Sequence, residues 1–170
     1  RSKRVLILFT LGILLAGGIG SLAFGKLDSG GYSDLSSESA KAGTYLTEKF
    51  GVVEPVAVLV VDTGNKSVDD PEVSQAAIAL EKKVSQVPGI SKTLSFWSTG
   101  GSPAMKSTDG KAAFLFAYAN LKANDFDQLG KIGAQIQEEF DGANGALTVY
   151  ASGSGVITHA INHKIEKDLL

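Results

Sequence analysis

The chain has 170 residues, 44% of them hydrophobic and 20% charged, with a net charge of −2 and a mean hydropathy of +0.11. That length suits one domain with an appendage, and a charge balance so close to neutral excludes the basic field that a nucleic-acid partner requires. There is no cysteine, which removes disulfides, thiolate metal sites and cysteine nucleophiles.

The hydropathy is concentrated at the N-terminus. Residues 5–24 read VLILFTLGILLAGGIGSLAF, an uncharged stretch that as a helix spans about 30 Å, the thickness of a bilayer core. Arg1, Lys3 and Arg4 precede it, and the rest of the chain carries a net −5. The positive-inside bias predicts a membrane helix over 1–24 with its start in the cytoplasm and residues from 26 onward outside. A cleaved signal peptide shares this pattern, and Ser21-Leu22-Ala23 resembles a cleavage site, but the apolar run exceeds the usual core of ~7–15 residues. Gly12, Gly17, Gly18, Gly20 and Gly25 either let another helix approach closely or are ordinary membrane-helix glycines.

Residues 25–52 read as a Gly/Ser/Asp linker followed by a helix over 36–50, capped by Asp34. An α+β domain is then predicted over 53–153. VAVLVV at 56–61, bounded by Pro55 and Asp62-Thr63-Gly64, is a buried strand. Asp70-Pro71 opens a helix in which Val73, Ala76, Ala77, Leu80, Val84 and Val87 recur at helical spacing, and Pro88-Gly89 stops it. Residues 90–97 and 112–120 make two more strands, joined by a turn-rich loop with Asp109-Gly110 at a tight turn. Asn124-x-x-Asp127 resembles a capping box before a helix with Phe126, Leu129, Ile132, Ile136 and Phe140 on one face, ended by Asp141-Gly142. A fourth strand covers 146–151. The order β-α-β-β-α-β is the ferredoxin-like split βαβ plan, with both helices on one face of an antiparallel sheet. Residues 154–170 start a further helix, expected to run toward a second membrane span. No cap closes that helix and residue 1 is not Met, so the chain reads as a piece of something longer.

No catalytic, cofactor or metal site emerges. His159-x-x-x-His163 places two imidazoles on one helix face, but the metalloprotease pattern would need Glu where Ala160 stands, and a third ligand would have to come from Glu166 or further away. These read as solvated histidines. Gly153-Ser154-Gly155 lacks the third glycine of a dinucleotide fingerprint, since Thr158 occupies that place. Asp62, Asp69, Asp70 and Glu72 lack the alternation of a calcium loop and suit helix capping. Ser152 and Ser154 have no acid-oriented base. The residues thus point away from an enzyme.

The third strand carries the one suggestive pattern. Phe114, Phe116 and Tyr118 share one face; Ala113, Leu115, Ala117 and Ala119 share the other. Either the small residues press against the helices and the aromatics form an uncovered, substrate-path surface, or the aromatics are core. Trp97, at the end of the second predicted strand, is open to the same two readings.

In this order the parts resemble the first transmembrane helix and first outer-side porter subdomain of the resistance-nodulation-division superfamily, and within it the MmpL family. The likeness rests on the basic start and glycine-bearing helix, on Gly30-Gly31-Tyr32-Ser33-Asp34 with Ser37-Glu38-Ser39-Ala40, on Val68-Asp69-Asp70-Pro71, Val87-Pro88-Gly89-Ile90 and Ser95-Phe96-Trp97, on Ser107-Thr108-Asp109-Gly110-Lys111-Ala112-Ala113, and on the run from Ile161-Asn162-His163 to Asp168-Leu169. The resemblance implies part of a proton-driven exporter of lipids or other hydrophobic compounds in the plasma membrane. It also implies partners: the bilayer, a lipidic substrate, further membrane helices and a second porter subdomain. Proton-relay residues of such proteins lie in later helices, so none is carried over. The alternative is a single-pass or secreted ferredoxin-like module that binds a ligand or a protein.

Overall fold

The computed structural model describes residues 2–24, 36–50, 53–121 and 125–169. The chain divides into two compact units, 1–32 and 33–170.

The first unit holds α1 (Ser2–Phe24), a helix with no acidic residue in its first turn and exposed apolar side chains such as Ile7, Leu8, Phe9 and Leu14. The helix itself matches the expectation, but its assignment as a membrane span is not shown. Among the described residues, no helix is long and apolar enough to cross a membrane.

The second unit begins with α2 (Glu38–Phe50). Asp34, its expected cap, lies outside the described residues; the Ser37 hydroxyl accepts from the Ala40 amide instead, at 3.2 Å. There follow β1 (Ala57–Asp62), α3 (Pro71–Val84), β2 (Ile90–Ser95), a 3-10 turn over Pro103–Met105, β3 (Ala112–Ala119), α4 (Phe126–Phe140), β4 (Gly142–Asn144), β5 (Leu147–Ser152) and α5 (Ser154–Leu169). The sheet order is β2-β3-β1-β5-β4, and every pairing is antiparallel. Without β4, this is the expected α+β, ferredoxin-like βαββαβ arrangement.

The small edge strand β4 is a correction. Asp141-Gly142 does end α4, but Gly142, at φ +97°, turns the chain straight into a strand that pairs with β5. Three residues, Gly-Ala-Asn, are too few to show a period. Two helix boundaries also differ. α3 stops at Val84, with the Ser85 amide bonded to the Glu81 carbonyl, so Val87 is core but no longer helical. The cap of α4 is Asp125, whose carboxylate accepts from the Gln128 amide at 3.2 Å; Asn124 lies outside the described residues. The Asp70 cap with Pro71 in the first turn is as expected.

The core lies between the helices and one face of the sheet. Ala57, Leu59 and Val61 of β1, Leu115 and Ala117 of β3, and Leu147 and Val149 of β5 meet Val73, Ala77, Leu80 and Val84 of α3 and Ile132, Ile136 and Phe140 of α4. A second, smaller cluster of Val68, Phe96 and Ala113 closes the end of the sheet where the loops gather. There the Asp109 turn is fixed by the Ser107 hydroxyl and the Lys111 amide, which hold the Asp109 carboxyl below the usual carboxylate range.

Candidate functional site

Burial along β3 alternates without a break: Ala113, Leu115, Ala117 and Ala119 are buried, while Phe114, Phe116 and Tyr118 are half-buried. The aromatic residues are therefore not part of the buried core. The alanines and Leu115 face α3 and α4, and the aromatic residues stand on the opposite face of the sheet. Phe114 and Phe116 stack with ring centroids 5.6 Å apart.

Register extends this surface. Val60 lies opposite Phe114 and Val58 opposite Phe116 across the β1–β3 pairing. Leu94 lies opposite Phe116 from the other side, and Tyr150 of β5 lies opposite Val60. Directly paired residues of antiparallel strands project to the same side, so these seven side chains form one apolar field across four strands. Tyr150 is exposed; the others are half-buried. Lys92, opposite Tyr118, and Thr148 and Ser152 of β5 give the field a polar margin. The seven side chains of the field are apolar apart from the hydroxyls of Tyr118 and Tyr150. Such a surface offers apolar area, which attracts apolar matter at about 25 cal/mol per Å² removed from water.

Val58, Val60, Leu94 and Tyr150 were not singled out in the sequence. VAVLVV is apolar at every position, so it conceals which residues face which way. In LTVYAS and ISKTLS the alternation is present, but it acquires meaning only once the register aligns Tyr150 and Leu94 with the aromatics of β3.

Trp97 does not join this field. β2 ends at Ser95, and Trp97 falls in the turn beyond it. Its indole N–H donates to the Val68 carbonyl at 2.8 Å, and its ring meets Phe96 edge-on at 5.6 Å. Trp97 packs against both core clusters, so its placement is structural.

The other sequence motifs have structural positions. Gly155 donates to the Val56 carbonyl at 2.9 Å, and a Cβ at Gly153 would stand 2.8 Å from the Ala57 Cα, so this glycine pair seats the start of α5 against β1. In the acidic cluster, Asp62 accepts from the Gly64 amide, Asp70 caps α3, and Asp69 and Glu72 pair with Lys106 and Lys66.

No protein-family model and no curated protein matches the chain. Among solved structures it is similar to the mycobacterial membrane protein MmpL11D2, at 19% identity over 56% of this chain and 99% of that one, with a TM-score of 0.35.

Proposed function

We propose that this chain is the opening membrane helix and first outer-side porter subdomain of an MmpL-type, proton-driven exporter, and that the open aromatic face of the sheet lies on the path of a hydrophobic or lipidic substrate. The observation that carries this reading is the field of Val58, Val60, Leu94, Phe114, Phe116, Tyr118 and Tyr150 on the side of the sheet away from α3 and α4. An apolar surface of that kind, only half-buried on a domain with a core of its own, suits the binding of something apolar. The ordered motifs quoted above and the apolar sequence of 5–24 support the transporter context.

In the full-length transporter, Phe116→Ser and Tyr118→Ser are expected to lower export several-fold while leaving thermal unfolding within a few degrees of the parent. Leu115→Ser, one residue away on the buried face, is expected to unfold the domain. If the two aromatic variants melt early and export follows the folded fraction, the face is structural and the substrate-path assignment fails. The binding-module alternative predicts that the isolated chain retains an apolar ligand on the same face, detectable by mass spectrometry of the purified protein after organic extraction.

A further inference from the structure

Helices α4 and α5 cross antiparallel. Gly133 of α4 meets Gly155 and Val156 at the start of α5, and Gly130 meets Thr158, His159 and Asn162 one turn further along. Continuing in that sense, Asp127 shares a cleft of about 190 Å³ with Lys131, His159, Asn162 and His163. A candidate third ligand, besides Glu166 of α5 itself, is thus offered by α4. The two imidazoles lie 21° from parallel, with ring centroids separated by 6.1 Å. Metal–nitrogen bonds of ~2.0–2.1 Å place two rings on one ion with centroids roughly 5–6.5 Å apart, so the separation suits a shared ion once rotation of the side chains turns one nitrogen of each ring toward it.

We propose that His159 and His163, with Asp127 from the facing helix, bind a divalent transition-metal ion of the zinc, nickel or copper class, water completing the coordination. Imidazole nitrogen with one carboxylate is a donor set that these ions prefer. Of the neighbouring ammonium groups, Lys131 pairs with Asp127 at 2.6 Å and Lys164 with Asp168 at 3.0 Å, and Lys167 lies beside both histidines. Among the described residues, no three His, Asp or Glu groups yet stand close enough to hold an ion. Uptake therefore requires Asp127 to turn from Lys131, and that pair is fully exposed and weak. The ion would tie α4 to α5 beyond their glycine contact. This proposal does not depend on the transport reading.

The test uses the untagged full chain in detergent, titrated with zinc chloride by calorimetry and followed by ¹⁵N shifts of the histidine rings. One zinc per chain is expected, with both rings shifting together and the melting temperature rising as zinc is added. His159→Ala and His163→Ala should each weaken binding by at least about 10-fold, and Asp127→Asn by a smaller factor of about 3–10. Parental affinity in either histidine variant overturns the site, as does one ring that does not shift at saturating zinc in the unmutated chain. Parental affinity in Asp127→Asn overturns the three-ligand assignment.

Discussion

At the scale of single residues, Glu81 shows how much a fold can rest on one buried charge. It is 8% exposed, inside a core otherwise almost wholly apolar. One carboxylate oxygen accepts from the Ser95 hydroxyl at 2.6 Å and the other from the Ser98 hydroxyl at 3.0 Å. Ser98 in turn accepts from the Ser95 amide at 2.8 Å, so the helix α3, the end of β2 and the turn beyond it are held at one point. A buried carboxylate persists only when its lone pairs are occupied, and these two serines occupy them. Glu81→Ala leaves the fully buried Ser95 hydroxyl with only the Ser98 hydroxyl, at 3.3 Å, to donate to and is expected to cost about 2 kcal/mol, whereas Glu81→Gln keeps an acceptor and costs about 1 kcal/mol. Trp97, the sole tryptophan, stands next to Ser98 and reports the transition, so urea unfolding followed by its fluorescence measures both. Equal midpoints for the two variants would show that the acceptor retained by glutamine adds nothing to stability there.

At the scale of elements, the pairing of α4 with α5 is set by glycine. A Cβ built on Gly133 would lie 2.0 Å from the carbonyl carbon of Gly155 and 2.1 Å from its oxygen, both backbone atoms with nowhere to go. At Gly130, one turn earlier, the same Cβ makes ordinary contacts, with the Asn162 and Thr158 side chains at 3.5 Å and the His159 backbone nitrogen at 3.8 Å. The two substitutions should therefore have opposite signs. Gly133→Ala must push the helices apart and is expected to destabilise by about 3 kcal/mol or more. Gly130→Ala fits and gains up to about 1 kcal/mol from helix propensity. Thermal unfolding of both variants decides it, and a Gly133→Ala chain as stable as the parent would show that the helices do not touch there. These glycines could be read in the sequence but not interpreted, because a glycine within a helical pattern signals close packing only when its neighbour is known. Other elements were legible for local reasons. Asp70-Pro71 is capping chemistry contained in two residues, and the alternation of AAFLFAYA is a period that needs no partner. β4 and the exclusion of Trp97 from the aromatic face were not, since one depends on a pairing and the other on a hydrogen bond to Val68, 29 residues away in sequence.

At the scale of the whole molecule, the order of strands and helices determined the sheet topology. Two βαβ crossovers split by a β2–β3 hairpin leave β1 in the middle, paired on both sides. The apolar sequence of 5–24 bears on sidedness. If it is embedded in a bilayer with Arg1, Lys3 and Arg4 held in the cytoplasm, the sheet domain must face outward, because translocating three charges is far costlier than exporting a chain segment of net −5. The absence of cysteine makes this directly measurable. Gln75 is an exposed position on α3, so Gln75→Cys leaves the core intact and introduces a single thiol. A membrane-impermeant maleimide applied to intact cells should label it nearly as completely as after lysis. Labelling confined to lysed cells would place the domain in the cytoplasm. The aromatic face could then not lie on an outward path, whatever it binds.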